Sequence, residues 1–149
     1  MTDLKFVSLN VRGLKDAGKR GALFFSLLSM DFEVAFLQEC HLKGEEDTIT
    51  FTKEWTAGVS YWSIGNVHSD GLGIVFKDNG FMIENYVSLV PGRLQCLDAR
   101  WGEYRFRFIN VYAPCVRIKR LGFFKNLPIL WDTNRCDGSI SEPRSNLWG

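Results

Sequence analysis

At 149 residues the chain is long enough for one ordinary domain and too short for two. Apolar residues make up 46%, with 12 Phe and 5 Trp, which supplies a real core and excludes a disordered chain. A formal net charge of +1 gives no bulk attraction to nucleic acid or membrane, although a local basic face is compatible with it.

The start, MTDLKFVSLN, carries Asp3 and no long apolar stretch, so it does not read as a secretion signal. No run approaches the roughly 18 apolar residues of a membrane span. The four cysteines, Cys40, Cys96, Cys115 and Cys136, are scattered, with neither a CxxC pair nor zinc spacing. Free thiols in a reducing nuclear or cytoplasmic setting, not a secreted one, are the expectation.

In chain order, LKFVSLN (4–10) reads as a strand that stops at a polar turn, Asn10 to Gly13. Residues 16–30 carry Leu23, Phe24, Leu27 and Leu28 at helical spacing, with Asp16 placed to cap the start. VAFLQ (34–38) is a continuous apolar run, as in a strand covered on both faces. Strand, helix, strand predicts a parallel pair joined by a crossover.

From residue 59 onward the runs become β-like: 60–67, 71–76, 81–90, 94–101 and 104–112, punctuated by Gly, Pro, Asn or Asp. Tyr104, Phe106 and Phe108 alternate with Arg105 and Arg107, the two-residue period of a strand. Residues 118–132 return to helical spacing at Ile118, Leu121, Phe124 and Leu127, with Pro128 placed to kink or end that helix. The predicted class is α+β in layers. The stretch 136–149 is polar and unpatterned and reads as a divergent, disordered tail.

Asn10 and Glu39 stand at the C-terminal ends of the two predicted parallel strands. In an open α/β sheet that edge holds the ligand crevice. A carboxylate there suits a hard cation such as Mg²⁺. Alone, Glu39 reads first as a solvated residue at a strand exit. Tyr112, in NVYAP (110–114), reads alone as a core aromatic at a strand end.

Taken in order, SLNVRGL (8–14), AFLQECH (35–41), SDGLGIVF (69–76) and FINVYAP (108–114) resemble the endonuclease/exonuclease/phosphatase superfamily. The likeness is strongest to the apurinic-type endonuclease domain of LINE-type (non-LTR) retrotransposons and covers about residues 4 to 135. It implies an incomplete four-layered α/β-sandwich, two packed β-sheets flanked by helices. Residues 1–135 would be the N-terminal portion of such a domain. By the same resemblance, Asn10 would support the site and contact phosphate, Glu39 would hold Mg²⁺ (or Mn²⁺), and Tyr112 would contact the scissile phosphate. His41 would lie behind the metal ligand. Cys40 stands where the family usually has threonine.

The chemistry implied is Mg²⁺-dependent hydrolysis of a DNA phosphodiester. DNA would be held by its backbone, through residues such as Arg12, Lys15, Lys19, Arg20 and Arg93, each of which alone reads as solvated surface. The family's "GDFN" and its terminal aspartate–histidine pair have no match. Asp137-Gly138 is not GDFN. His68-Ser69-Asp70 has the wrong place and order for the terminal pair. The sequence thus reads as a truncated copy, weak or inactive as an enzyme. A non-catalytic retroelement-derived fragment, or a phosphatase of the same superfamily, is the alternative.

Overall fold

The computed structural model describes residues 3–65, 70–77 and 80–125. The tail expected at 136–149, Pro128, and His68 with Ser69 lie outside the described residues.

The opening unit forms as the pattern predicts. Strand β1 (Phe6–Asn10) and strand β2 (Val34–Gln38) pair in parallel, with Asn10 opposite Gln38. Helix α1 (Ala17–Ser29) connects them. The Asp16 carboxylate accepts from the Lys19 backbone N–H at 2.7 Å, closing the first turn. The inward residues Phe24 and Leu27 are buried, and Leu28 is exposed.

Helix α2 (Glu45–Glu54) has no counterpart in the sequence reading. Its first turn holds Glu45, Glu46 and Asp47, which favours that end of the helix dipole. Only Phe51 is buried within it, too sparse a stripe for periodicity to register.

Strands β3 (Ser60–Ser63) and β4 (Leu72–Phe76) complete a sheet of order β1-β2-β4-β3. Strands β5 (Met82–Val90), β6 (Leu94–Trp101) and β7 (Tyr104–Val111) form a second, antiparallel sheet in that order. Helix α3 (Arg117–Lys125) follows.

Three cores stack in layers. Outside the first sheet, Phe24 and Leu27 of α1 and Phe51 of α2 pack with Leu37, Trp62 and Val75. Between the sheets, Val34, Ile74 and Phe76 meet Phe81, Leu97, Ala99 and Phe108. Outside the second sheet, Phe123 of α3 packs on Leu94 and Cys96. Alternation along each strand sends neighbours to opposite layers, so Leu37 and Phe36 serve different cores. VAFLQ is therefore covered on both faces, and the four layers are helices, sheet, sheet, helix.

The predicted face of the last helix needs correction. Its spacing pointed inward at Ile118, Leu121 and Phe124, yet Ile118 is 82% exposed and the other two are also exposed. Phe123 is the buried residue of α3. An apolar stripe sets a helical period but not which side meets the sheet. Here the outer surface around Leu94 and Cys96 accepts a single aromatic ring.

Candidate active site

Two loops meet at the C-terminal ends of β1 and β2. Backbone N–H groups of Val11, Gly13 and Leu14 donate to the carbonyls of Gln38, Glu39 and Cys40 in turn. On the other side, the N–H groups of Cys40 and His41 donate to the carbonyls of Gly71 and Asp70. The backbone at Glu39 is thus tied down from both flanks.

That lacing holds unusual conformations. Among the described residues, the non-glycine residues with positive φ are Arg12 (51°), Glu39 (56°) and His41 (57°). Each costs on the order of 1 kcal/mol or more and persists only where the surroundings over-determine it. Gly13, at φ 88°, is required for a further reason. A Cβ there would come 2.8 Å from His41 Nδ1.

The strained turn presents Glu39 to Tyr112, which follows β7. The Tyr112 hydroxyl donates to Glu39 Oε1 at 2.7 Å. This bond is the first cause holding the Glu39 carboxyl below its ordinary value, against the opposing effect of burial. The Asn10 amide, then the nearby His41 and Arg12, act in the same direction. Asn10 is oriented for this, since its Oδ1 accepts from the Arg12 N–H at 3.1 Å. Burial and the bond to Glu39 push the Tyr112 hydroxyl well above its usual value, so it stays protonated at neutral pH. The Cys115 thiol, beside that hydroxyl, adds to the same shift.

Asn10, Glu39 and Tyr112 therefore come together, from three different strand ends and both sheets. His41 lies under the loop after β1, its Nε2 buried without a hydrogen-bond partner among the described residues. Arg93 is at the rim. Its guanidinium lies 4.9 Å from the centre of the Tyr112 ring and 3.3 Å from Asp70 Oδ2. Arg12, Lys15 and Lys19 are exposed near the mouth, although the Lys19 amine is engaged by the Arg12 carbonyl at 2.7 Å.

Arg20 is not brought to this surface, which corrects its expected place as a DNA contact. It is buried, and its guanidinium binds both carboxylate oxygens of Glu54 and the carbonyls of Leu14 and Lys15. It also lies over the Phe51 ring. Its role in this structure is to join the loop after β1 to α2.

The donor set fits a hard divalent cation in kind. Glu39 is an ionised carboxylate with Asn10 beside it, and Mg²⁺ commonly uses one or two carboxylates and keeps its waters. Among the described residues no group of three His, Cys, Asp or Glu side chains clusters to form a cage. No described helix is long and apolar enough to cross a membrane.

Sequence reasoning missed Gln38, Gln95 and Asn110, buried or half-buried amides directly behind Glu39 and Tyr112. Their signal was available. An amide two residues after a strand phenylalanine, as in Phe36–Gln38 and Phe108–Asn110, shares that residue's inward face.

Comparison with known proteins agrees with this architecture. No family model matches the chain. The Transposon TX1 uncharacterized 149 kDa protein of Xenopus laevis is 28% identical over 143 residues, which is 92% of this chain and 10% of that protein. The chain spans about a tenth of the length of that relative. Among solved structures, the endonuclease domain of TRAS1, a telomere-specific non-LTR retrotransposon, superposes with a TM-score of 0.56 at 13% identity. That match covers 83% of this chain and 53% of that one. TDP2 from Caenorhabditis elegans superposes with a TM-score of 0.58 at 17% identity, over 89% of this chain and 42% of that one. Two packed sheets with helices outside both share the fold of these structures, that of the endonuclease/exonuclease/phosphatase type, over the part that superposes.

Proposed function

We propose that the chain supplies the metal- and phosphate-binding part of a Mg²⁺-dependent DNA-nicking endonuclease site of the retrotransposon type. The observation that carries this is the meeting of Glu39 and Tyr112 at 2.7 Å beside Asn10, on one edge of the sandwich. The likeness to the TRAS1 endonuclease domain and to the TX1 transposon protein supports DNA as the substrate.

Each side chain has a role its chemistry allows. Glu39, held ionised, would be the ligand for Mg²⁺ or Mn²⁺, with Asn10 beside it to assist. A metal held there would supply charge neutralisation for the phosphate and a more acidic water. Tyr112 keeps its proton and can donate it in a hydrogen bond to a phosphate oxygen that enters beside Glu39. Asn10 offers a second, neutral donor. His41 supports the Glu39 loop from behind. Arg12, Lys15 and Lys19 at the mouth, with Arg93 at the rim, suit contacts to the DNA backbone.

On its own the 149-residue chain is expected to turn over little or nothing. Its histidines are His41 and His68, and no GDFN segment follows NVYAP to provide an aspartate that orients the attacking water. A supercoiled-plasmid nicking assay with Mg²⁺ tests both halves of the proposal. The expected result is negligible nicking by this chain, and Glu39-dependent nicking by a longer form that supplies the missing motifs. Robust nicking by this chain, lost in Glu39→Ala, would show the site to be complete. Nicking by the longer form that survives Glu39→Ala would remove Glu39 from the chemistry.

A further inference from the structure

The space between the sheets changes character along its length. At one end it is aromatic. Phe108 lies 5.4 Å from Phe6 and 5.7 Å from Phe36, ring centre to ring centre, and also touches Phe76, Phe81 and Phe106. One layer nearer the site it is made of amides and hydroxyls. Gln38 Nε2 donates to Asn110 Oδ1 at 2.9 Å and to Ser8 Oγ at 3.1 Å. Asn110 Nδ2 donates to the carbonyls of Leu37 (3.0 Å) and Gly73 (3.1 Å), and to Gln95 Oε1 (3.0 Å). Gln95 Nε2 in turn donates to the Tyr61 carbonyl and to the Tyr86 hydroxyl. One layer further on stand Asn10, Glu39 and Tyr112.

Three strands therefore carry the same succession in the same direction. On β1 it is Phe6, Ser8, Asn10. On β2 it is Phe36, Gln38, then Glu39. On β7 it is Phe108, Asn110, Tyr112. The middle layer is where the two sheets grip each other by directed bonds. Asn110 is 2% exposed and Gln95 is fully buried, so each polar atom left without a partner there is costly.

Apolar packing is non-directional, and a Phe layer alone tolerates small slides between sheets. A hydrogen bond is sensitive to distance and angle, so a satisfied buried network selects one registration. Gln38 and Gln95 also reach across the interface, to Asn110 and to the Tyr61 carbonyl, but Asn110 is the member that crosses to the backbone of the β2–β4 pair. It belongs to β7, yet it binds the carbonyls of Leu37 and Gly73, a cross-strand pair at the centre of the other sheet. Leu37 is two residues before Glu39, and Asn110 is two before Tyr112.

We propose that Asn110 is a positioning residue, which locks β7 to the β2–β4 pair so that Tyr112 meets Glu39. It touches neither of them and would touch no substrate. Its influence runs through the backbone of both strands over two residues. Gln38 and Gln95 hold the Asn110 amide in the required orientation, one by donating to its oxygen and the other by accepting from its nitrogen.

The proposal rests on Glu39 and Tyr112 forming one site, as put forward above, but its test needs neither metal nor DNA. The probe is the NMR signal of ¹³Cζ-labelled tyrosine in the full chain, with the Tyr112 resonance assigned by Tyr112→Phe. Glu39→Ala, which removes the acceptor, should move that resonance. Asn110→Ala should move it in the same direction and by most of the same amount. Phe108→Leu, a core change in the neighbouring layer, should lower stability and leave the resonance in place. A folded Asn110→Ala protein with an unmoved Tyr112 resonance would overturn the proposal, since a purely structural role predicts only lower stability. If Asn110→Ala does not fold, Gln38→Met removes only one of the bonds of Asn110, that to its Oδ1, together with the Gln38 bonds to Ser8 Oγ and the Phe36 carbonyl, and a partial movement is expected. No movement there would overturn the proposal equally. A resonance that ignores Glu39→Ala would overturn the Glu39–Tyr112 pairing itself, and the positioning role with it.

Discussion

The Tyr112 hydroxyl and the Glu39 carboxylate lie 2.7 Å apart, although 73 residues separate them in sequence and they follow strands of different sheets. A bond to a charged acceptor in a partly buried setting contributes about 1–2 kcal/mol. Tyr112→Phe should therefore lower stability by about 1 kcal/mol at pH 7.

The pH dependence of that loss has a defined sign. Glu39 is held below its ordinary value in the folded protein. Its contribution is then present above the ordinary carboxylate value and disappears as pH falls through the lower, folded one. Urea unfolding of the wild type and Tyr112→Phe should differ at pH 7 and converge in strong acid. Tyr112 is shifted upward, so its share is present below about pH 10 and is lost at higher pH. An equal difference at pH 7 and pH 3 would exclude ionised Glu39 as the partner.

Mg²⁺ should raise the melting temperature of this chain, and Glu39→Gln should abolish the rise. At ten times its Kd a ligand adds about 1.4 kcal/mol, which for a domain of this size is roughly 4 °C. A thermal melt with and without Mg²⁺, reversed by chelator, gives the measurement. A shift of the same size in Glu39→Gln would place the metal elsewhere.

Arg20→Ala should cost about 3 kcal/mol in urea unfolding, while Lys19→Ala should stay within about 0.5 kcal/mol. The first leaves two carbonyls and Glu54 without their buried partner and uncovers the Phe51 ring. Neutral behaviour of Arg20→Ala would contradict the structural role given to it here.

In the native protein carrying Cys136→Ser, one thiol should react quickly with a disulfide reagent. Cys115 is exposed, whereas Cys40 and Cys96 are buried. Burial also pushes the Cys40 thiol far above its ordinary value, so little thiolate forms there. Three thiols reacting at equal rates without denaturant would show that the layers open readily.

Much of the fold was legible because its signals are local and periodic. β2 and β6 begin and end where the strand-like runs VAFLQ and LQCLDARW do, and Asp16 caps α1 as expected. Asn10, Glu39 and Tyr112 were legible through the order of four short motifs, not through any one of them. Helix α2 escaped because a single buried phenylalanine carries no period. The inward face of α3 escaped because it depends on what the second sheet offers. Arg20 looked like every other surface cation, since the carboxylate that captures it stands on α2, at Glu54. The amides behind the site looked like ordinary strand polars until a second sheet was laid over them.

The rows on β1 and β7 that lead from phenylalanine to the site count in twos. This sets which mutations the region can absorb. Conservative exchanges at outward positions such as Ile109 or Val111 leave the inward succession intact. A one-residue insertion or deletion between Phe108 and Tyr112 does not, whatever residue is involved, because every later side chain changes face. The amide would then point at α3 and the tyrosine away from Glu39. In the strands that build this site, the spacing of the residues is as strict a requirement as their identity.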